Sequence, residues 1–535
     1  MTNSSVQRLL PASQNTILVE YPDLDTVLAH FAALEQEKIS GVLELIPAAQ
    51  TIMVRFDPRV TSASALAEAI RSVPLASHEV ARPDPVTIDV VYSGEDLAEV
   101  ATALDISEEE LIERHTAASW FGAFAGFAPG FVYCVGDDPI FNVPRRRSPR
   151  TRIPAGSVAL ASNFSAVYPR ESPGGWQLIG QTAQPMWDLE RDPPAAILPG
   201  QPVTYRAVRE AATVTVQQPA SSSVSAVTDD VPHLKVVQRG AQLLLQDHGR
   251  HGWAAMGVPV SGAADPAAFR AANRAVGNAL GTAVLESAGG GIELAFNTRA
   301  VIAITGGQGD LSITSADGEK LSITHGQPTA IEPGDRVRIG ALIDGFRSYL
   351  AVRGGFQIEP VLNSYATDTL SGVGPAPLEV GDRLAIDTAA AVELVQPVDP
   401  LAMKPGHDQP DESHDVVELR IILGSRTDWF TEESIDLLTQ QDWTVTPHSN
   451  RVGLRLEGQK PLQRLEDNEL PSEGAVTGAI QVPPEGQPVL FLPDHPLTGG
   501  YPIIGAVIEE DLSLAAQLAP GSSLRFVVTE PFTQY

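Results

Sequence analysis

Residues 154–180 read PAGSVALASNFSAVYPRESPGGWQLIG. Three prolines and four glycines punctuate this stretch, yet β-type runs such as Ser157-Val158-Ala159-Leu160 survive between them. Short strands broken by tight turns favour a sheet closed on itself, because closure removes exposed edges and leaves the Gly/Pro residues for the corners. The same grammar recurs downstream. Gly174-Gly175-Trp176, Gly354-Gly355-Phe356 and Gly499-Gly500-Tyr501 are each a glycine pair followed by an aromatic. Each precedes a turn glycine (Gly200, Gly381, Gly521) that leads into a short strand. GGWQLIG further matches GGYPIIG, and GSVAL matches GAIQV upstream of those pairs. The spacing predicts three related β modules, near 86–208, 235–395 and 416–535.

The start of the chain differs. TILVEY and TIMVRFD read as strands, and SASALAEAIRSV reads as a helix. LDTVLAHFAALEQ places Leu24, Val27, Leu28, Phe31 and Leu34 at helical spacing. Strand–helix–strand–helix in so short a span predicts a small α/β sandwich. Further helices are expected in GEDLAEVATALD, SEEELIERHTAA, DPAAFRAANRAVGN and TEESIDLLTQQ. The resulting division is an α/β domain over 1–85, a barrel over 86–210, a linker over 211–234, a barrel over 235–395, a linker over 396–415 and a last barrel over 416–535. The linkers are marked by Ser-rich and by Pro/Asp-rich composition.

With 535 residues the chain is too long for one core. Its 36 basic and 66 acidic residues give a net charge of −30, which argues against nucleic acid or an anionic membrane as main partner. The single cysteine, Cys134, excludes an internal disulfide and a Cys-rich metal site. The first residues lack the basic start and apolar core of a signal peptide, and no uncharged apolar run approaches the ~18 residues of a membrane span. The expected location is the cytoplasm.

Against this acidic background four segments stand out. GFAPGFVY offers Gly126 and Gly130 for close backbone approach, Pro129 to stiffen the turn, and Phe127, Phe131 and Tyr133 as aromatic surface. It reads as a pocket-lining loop or as a barrel corner. VPRRRSPRTRIPAGS gathers Arg145, Arg146, Arg147, Arg150 and Arg152. Guanidinium forks suit carboxylate or phosphate, so this is an anion site or a set of ion pairs with the acidic surplus. QDHGRHGW with GVPVSGAADPAAFRAAN clusters Asp247, His248, Arg250 and His251; Ser261 and Asp265 precede a helix, on which Asn273 lies two turns past Asp265. The His spacing lacks a third ligand, so no metal is expected. NRVGLRLEG and VTGAIQVPPEGQPVLFLPDHPLTGGYP contribute Arg451, Gln481, Asp494, His495, Thr498, Gly499, Gly500 and Tyr501, with the Asp494-His495 pair suited to acid–base work. No P-loop, nucleophile elbow or zinc-protease motif is present.

The motifs GFAPGFVY, PRRRSPRTRIPAGSVALA and YPRESPGGWQLIG resemble the B subunit of bacterial ATP-dependent 5-oxoprolinase, a family also described as allophanate hydrolase subunit 1 or the Kip kinase-inhibitor family. QDHGRHG, GVPVSGAADPAAFRAAN, YLAVRGGF, RVGLRLEG and GAIQVPPEGQPVLFLPDHPLTGGYP resemble the C subunit of that enzyme, also called allophanate hydrolase subunit 2 or the biotin-dependent carboxyltransferase family. The resemblance implies a mainly β protein with an α/β N-terminal domain and cyclophilin-like barrels, one in the B half and two in the C half. It implies a fusion of two subunits that use ATP, with Mg, to activate 5-oxo-L-proline for ring opening to L-glutamate alongside a separate A subunit.

Under that resemblance the catalytic candidates are Asp494, His495 and Arg145. The substrate-binding candidates are Gly126, Pro129, Gly130, Tyr133, Arg150, Ser157, Gly174, Gly175, Trp176, Asp265, Asn273, Arg451, Gln481, Thr498, Gly499, Gly500 and Tyr501. The same modules also resemble the carboxyltransferase part of urea carboxylase, which uses biotin, and the Kip regulators of histidine kinases. The order of the two halves and the absence of a biotin-carrier domain favour oxoprolinase over the first; the complete C half argues against the second alone. AMKP at 402–405 is similar to a biotin attachment site but lies in the Pro/Asp linker. Three departures from the family pattern bear on substrate choice: Pro496-Leu497 in the last motif, Arg353 in YLAVRGGF, and NSYATDT at 363–369.

Overall fold

The computed structural model describes residues 6–75, 84–146, 148, 150–209, 227–390, 393, 416–465 and 470–535. Residues 211–226 of the first linker, the whole of 396–415 with Lys404, and Arg147 lie outside these.

The N-terminal unit is a four-stranded antiparallel sheet in the order Arg8–Ser13, Thr16–Glu20, Thr51–Phe56, Val42–Pro47, with helices Leu24–Glu37 and Ala63–Ser72. Asp23 and Ser62 cap these helices by accepting the backbone N–H three residues on. The helices pack on one face through Val27, Leu34, Leu66 and Ile70 against Ile17, Val19, Ile52 and Val54. The alternate residues Leu10, Leu18, Ile46 and Met53 face the other way and meet Ala254 and Leu497 of the C half. Two strands absent from the sequence reading are the two edges, and each carries a proline, Pro11 or Pro47. Proline lacks the ladder N–H, so it is tolerated at such edges and hides them from pattern reading.

The next sheet runs Gln177–Gln181, Ser157–Ala161, Phe164–Val167, Val132–Gly136, Trp120–Ala125, Pro202–Ala207, Val86–Val90. Its ends meet through a bridge between Val91 and Gln181, so the barrel is nearly closed. The opening stretch 154–180 thus supplies three adjacent strands and the turns between them. Ile88, Trp120, Leu160, Ile179 and Tyr205 fill the interior.

The last sheet, spanning Val417–Leu423 to Ser523–Glu530, is a closed barrel of the same plan. In both, the first and last strands pair in parallel, Val86–Val90 with Pro202–Ala207 and Val417–Leu423 with Ser523–Glu530. In both, the matched segments become neighbouring antiparallel strands, Leu178 opposite Ala159 and Gly505 opposite Ile480. Trp120 and Trp443 each donate from the indole to a helix carbonyl five residues back, His115 or Leu438. The middle barrel is a nine-stranded sheet built on the long pair Ala300–Thr314 and Arg336–Val352, with helix Pro266–Val276 laid on it. There Gly354 and Gly355 adopt positive φ, whereas the other two glycine pairs do not, so its likeness to the flanking barrels is looser. The turn glycines 200, 381 and 521 share positive φ and open space in all three. Among the described residues no helix is long and apolar enough to cross a membrane.

Candidate functional site

The loop Gly126–Gly130 leaves strand Trp120–Ala125 of the first barrel and projects into the C half. The Phe127 N–H donates to Thr498 Oγ1 at 3.3 Å, and the Gly130 N–H donates to the Met256 carbonyl at 3.0 Å. A methyl group at Gly126 would collide with the Thr498 side chain, and one at Gly257 would meet the Ala128 carbonyl at 2.6 Å. The glycines are therefore required by close approach of three barrels at one point. Pro129 holds the turn between Ala128 and Gly130.

Behind this loop Phe131, Tyr133, Tyr168 and Trp176 form an edge-to-face aromatic cluster. The Tyr133 hydroxyl interacts with the hydroxyls of Ser472 and Thr498 across the boundary between the halves. Burial pushes the Tyr133 phenol up, with the Arg145 charge and those two hydroxyls pulling the other way. Burial likewise raises the Tyr168 phenol, against the charges of Arg145 and Arg150. Gly174 lies so close to Tyr168 that a Cβ there would strike the phenol, and the Gly175 carbonyl accepts the Arg146 N–H at 2.8 Å. From the other side, a Cβ on Gly500 would sit 3.8 Å from Arg145 Nη1, and one on Gly499 would sit 2.7 Å from Gln481 Nε2. Gln481 in turn donates to the Tyr501 carbonyl at 3.3 Å. Pairwise contacts thus join the two halves here: Gly126 and Tyr133 meet Thr498, Arg145 lies near Gly500, Gly499 packs on Gln481, and Trp176 stands edge-on to Tyr133.

Other candidates are placed elsewhere. Arg150 forks onto Asp96 at 2.8 and 2.9 Å and reaches Glu95 at 3.0 Å; Arg146 joins it on Asp96 at 2.5 Å. Although burial opposes it, these partners and the Leu178 N–H hold the Asp96 carboxyl below its ordinary range. Arg152 pairs with Glu171 at the surface. The arginine run thus divides between the junction and ion pairing, and Arg150 belongs to the second group. Ser157 donates to the Pro154 carbonyl at 2.8 Å within its turn. Asp265 caps helix Pro266–Val276, and Asn273 holds the Thr282 carbonyl and Asn278.

Among the described residues the side chains of Asp494 and His495 take different hydrogen-bond partners. Asp494 is fully buried; it accepts from Arg451 Nε and Nη2 at 3.0 Å each, Ser261 Oγ at 2.7 Å, and Thr369 N–H and Oγ1 at 2.9 and 2.6 Å. Arg451 also binds Glu286 and the Gly262 carbonyl. Burial opposes its ionisation, yet these partners hold the Asp494 carboxyl below its ordinary range. With every lone pair taken, it joins the middle and last barrels rather than offering a free base. The His495 ring stacks on Phe491 at 5.4 Å, and its Nδ1 lies 2.8 Å from the Pro496 carbonyl. It lines a separate cavity of about 200 Å³ with Met53, Arg55 and Glu44 of the N-terminal unit. Burial pushes its imidazolium pKa down.

Sequence reasoning missed a second polar cluster, against the seam of the first and middle barrels. Arg250 is buried, its Nη2 bound to the Ala366 carbonyl while Nε and Nη1 have no acceptor among the described residues. Asp368 is buried, its Oδ1 accepting the N–H groups of Leu370 and Ser371 while Oδ2 has no partner among the described residues. Arg170, from the motif YPRESPGGW, lies over the same turn. The signals were a charged residue inside QDHGRHG and an acid inside NSYATDT. Neither periodicity nor spacing tells a buried arginine from an exposed one. Among the described residues no group of three His, Cys, Asp or Glu is placed to hold a metal ion.

Comparison with known proteins agrees with this architecture. Residues 256–528 match the family described as "Carboxyltransferase domain, subdomain A and B", and residues 7–197 match "Carboxyltransferase domain, subdomain C and D". The chain is 34% identical over 303 residues to the C subunit of 5-oxoprolinase from Escherichia coli K12, covering 55% of this chain and 90% of that protein. It is 35% identical over 201 residues to the B subunit of 5-oxoprolinase from Bacillus subtilis, covering 34% and 83%. Urea amidolyase of Saccharomyces cerevisiae is 32% identical over 314 residues, covering 55% of this chain but 16% of that protein. The crystal structure of TTHA0988 superposes with a TM-score of 0.81 at 30% identity, covering 96% of this chain and 99% of that one.

Proposed function

Because the chain belongs to the carboxyltransferase-domain family and fuses a half like the 5-oxoprolinase B subunit to a half like its C subunit, we propose that it is the B–C component of an ATP-dependent 5-oxoprolinase. In this reading it activates 5-oxo-L-proline or a related cyclic amide, and a separate A-type partner completes ring opening to the amino acid. The observation that carries it is the meeting of Arg145 and Tyr133 from the B-like half with Thr498, Gly499 and Gly500 from the C-like half.

The chemistry suits that meeting. Activating an amide oxygen gathers negative charge in one place, and a guanidinium beside glycine-flanked backbone supports such charge. Arg145 would hold a phosphate or developing oxyanion next to the Gly499-Gly500 hairpin. Tyr133 and Thr498 carry hydroxyls able to orient the amide. Burial keeps the Tyr133 phenol protonated at neutral pH, so it serves as a donor rather than a base. Phe131 and Trp176 wall the face and exclude water. ATP, with Mg, supplies when bound the phosphoryl group that makes the amide oxygen a leaving group. Arg145 is the group on this face suited to its phosphates.

The test mixes the purified chain with an A-type subunit, ATP and 5-oxo-L-proline. Glutamate formed only with all components supports the reading. Likeness to urea amidolyase favours one competing outcome, biotin-dependent carboxylation of urea with a carrier protein, and that result would replace it.

A further inference from the structure

We propose that Arg250, Arg170 and Asp368 form a second binding site, for a small oxyanion (a carboxylate or phosphate group), between the first and middle barrels. These side chains have no role in the activity proposed above, and their occupant is either a free anion or the carboxylate of that substrate.

Three observations carry the inference. First, Arg250 is almost completely buried, yet two of its three guanidinium nitrogens find no acceptor among the described residues. A buried guanidinium ordinarily has its donors filled, because each unmade bond costs the desolvation of a charged group. Second, the buried Asp368 Oδ2 is also without a partner among the described residues, and its charge acts on both arginines. The three groups are thus close enough to feel one another's charge, yet the open nitrogens of Arg250 and the Asp368 Oδ2 make no hydrogen bond to each other among the described residues. Third, the arginines come to the turn 366–374 from different halves. Arg250 bonds the Ala366 carbonyl at one end of turn 366–374, and Arg170 Nη1 lies 3.4 Å from where a Cβ on Gly372 would be, at the other.

The remaining charges nearby are already satisfied. Asp247 accepts from Gly249 and Tyr365 N–H and from Ser364 Oγ, and Asp494 is saturated by Arg451, Ser261 and Thr369. Two guanidinium groups, that of Arg250 with open donors, therefore face one carboxyl group. Burial and the neighbouring Asp494 charge raise that carboxyl to about 6. A bound oxyanion would raise it further, so that Asp368 donates its proton from Oδ2 to the ligand while both arginines supply charge-assisted bonds.

The experiment is calorimetric titration of the full chain with inorganic phosphate, 5-oxo-L-proline and 2-pyrrolidone, which is the same lactam without a carboxylate. The wild-type chain is compared with Arg170→Ala, Arg250→Lys and Arg145→Ala. We expect phosphate or 5-oxo-L-proline to bind at least about tenfold more weakly to Arg170→Ala and Arg250→Lys, and to keep binding Arg145→Ala at a site sensitive to Arg170. If 5-oxo-L-proline exceeds 2-pyrrolidone only while Arg170 is intact, the oxyanion is the substrate's own carboxylate. If phosphate shows the Arg170 dependence and the lactams do not, it is a free anion. Either result supports the site. Arg170 is half-buried, so its variant remains informative should Arg250→Lys fold poorly. Unchanged affinity for every probe in folded Arg170→Ala overturns the proposal. That failure is separate from failure of the enzyme reading, which is decided by glutamate formation alone.

Discussion

Asp368→Asn should make the protein more stable at neutral pH, and by an amount that depends on pH. The carboxamide keeps Oδ1 as acceptor for Leu370 and Ser371 and places a neutral NH2 where Oδ2 has no partner among the described residues. Burial, then the Asp494 charge, raise the folded carboxyl from 3.8 to about 6. A raised carboxyl binds its proton more tightly folded than unfolded. Ionising it therefore weighs against the fold: not at all below about pH 4, increasingly between 4 and 6, and fully above. The penalty above pH 6 is about 3 kcal/mol, or about 6–12 °C in the melting midpoint of a unit of roughly 160 residues such as the middle barrel. Thermal melts of wild type and Asp368→Asn across pH 4–8 should diverge as pH rises and converge near pH 4. A variant no more stable than wild type at pH 8, or a gain that persists unchanged at pH 4, would refute the reasoning. Retention of so costly an acid is what a binding role at that position would explain.

Arg145→Ala should lower turnover about ten- to hundredfold, the ~1.4–3 kcal/mol of a charge-assisted hydrogen bond, with an unchanged circular dichroism spectrum. Gly126→Ala should lower activity and loosen the contact between the halves, read as faster amide exchange at Phe127. In that background Thr498→Ala should partly restore the packing of the loop, read as slower amide exchange at Gly130, because the colliding hydroxyl is then gone, but not the activity that this hydroxyl serves. Arg451→Met strands Asp494 and Glu286 in the interior and should destabilise by about 3–5 kcal/mol, seen as a lower denaturation midpoint.

Much of the fold was legible because it depends on local chemistry. The punctuation of 154–180, the turn glycines 200, 381 and 521, and the helical spacing of Leu24 to Leu34 all report backbone geometry that single residues impose. The proline-bearing edge strands Arg8–Ser13 and Val42–Pro47 were not, since an edge tolerates what pattern reading takes as a break. The site was legible only in part. Glycines at close contacts announce themselves, so Gly126, Gly499 and Gly500 could be marked. Charge carries no such label. Arg145 and Arg150 sit in one basic run, yet one faces Gly500 and the other is held by Asp96, five residues apart in sequence but divided by the turn of the chain. Asp494 reads as half of a catalytic pair and folds as an inter-barrel tie, because its partners come from positions 261, 369 and 451. Arg250 and Asp368 become conspicuous only when burial shows which of their atoms are left without partners.

The central claim is that the two halves build one working face, and a double-mutant cycle across their boundary tests it most directly. Tyr133→Phe and Thr498→Val, singly and together, would be compared by kcat/KM for 5-oxo-L-proline in the complete ATP-dependent assay. Each single change should lower kcat/KM, and the double variant should be little worse than either, a coupling of about 1 kcal/mol. Fully independent effects, or single variants as active as wild type, would contradict it.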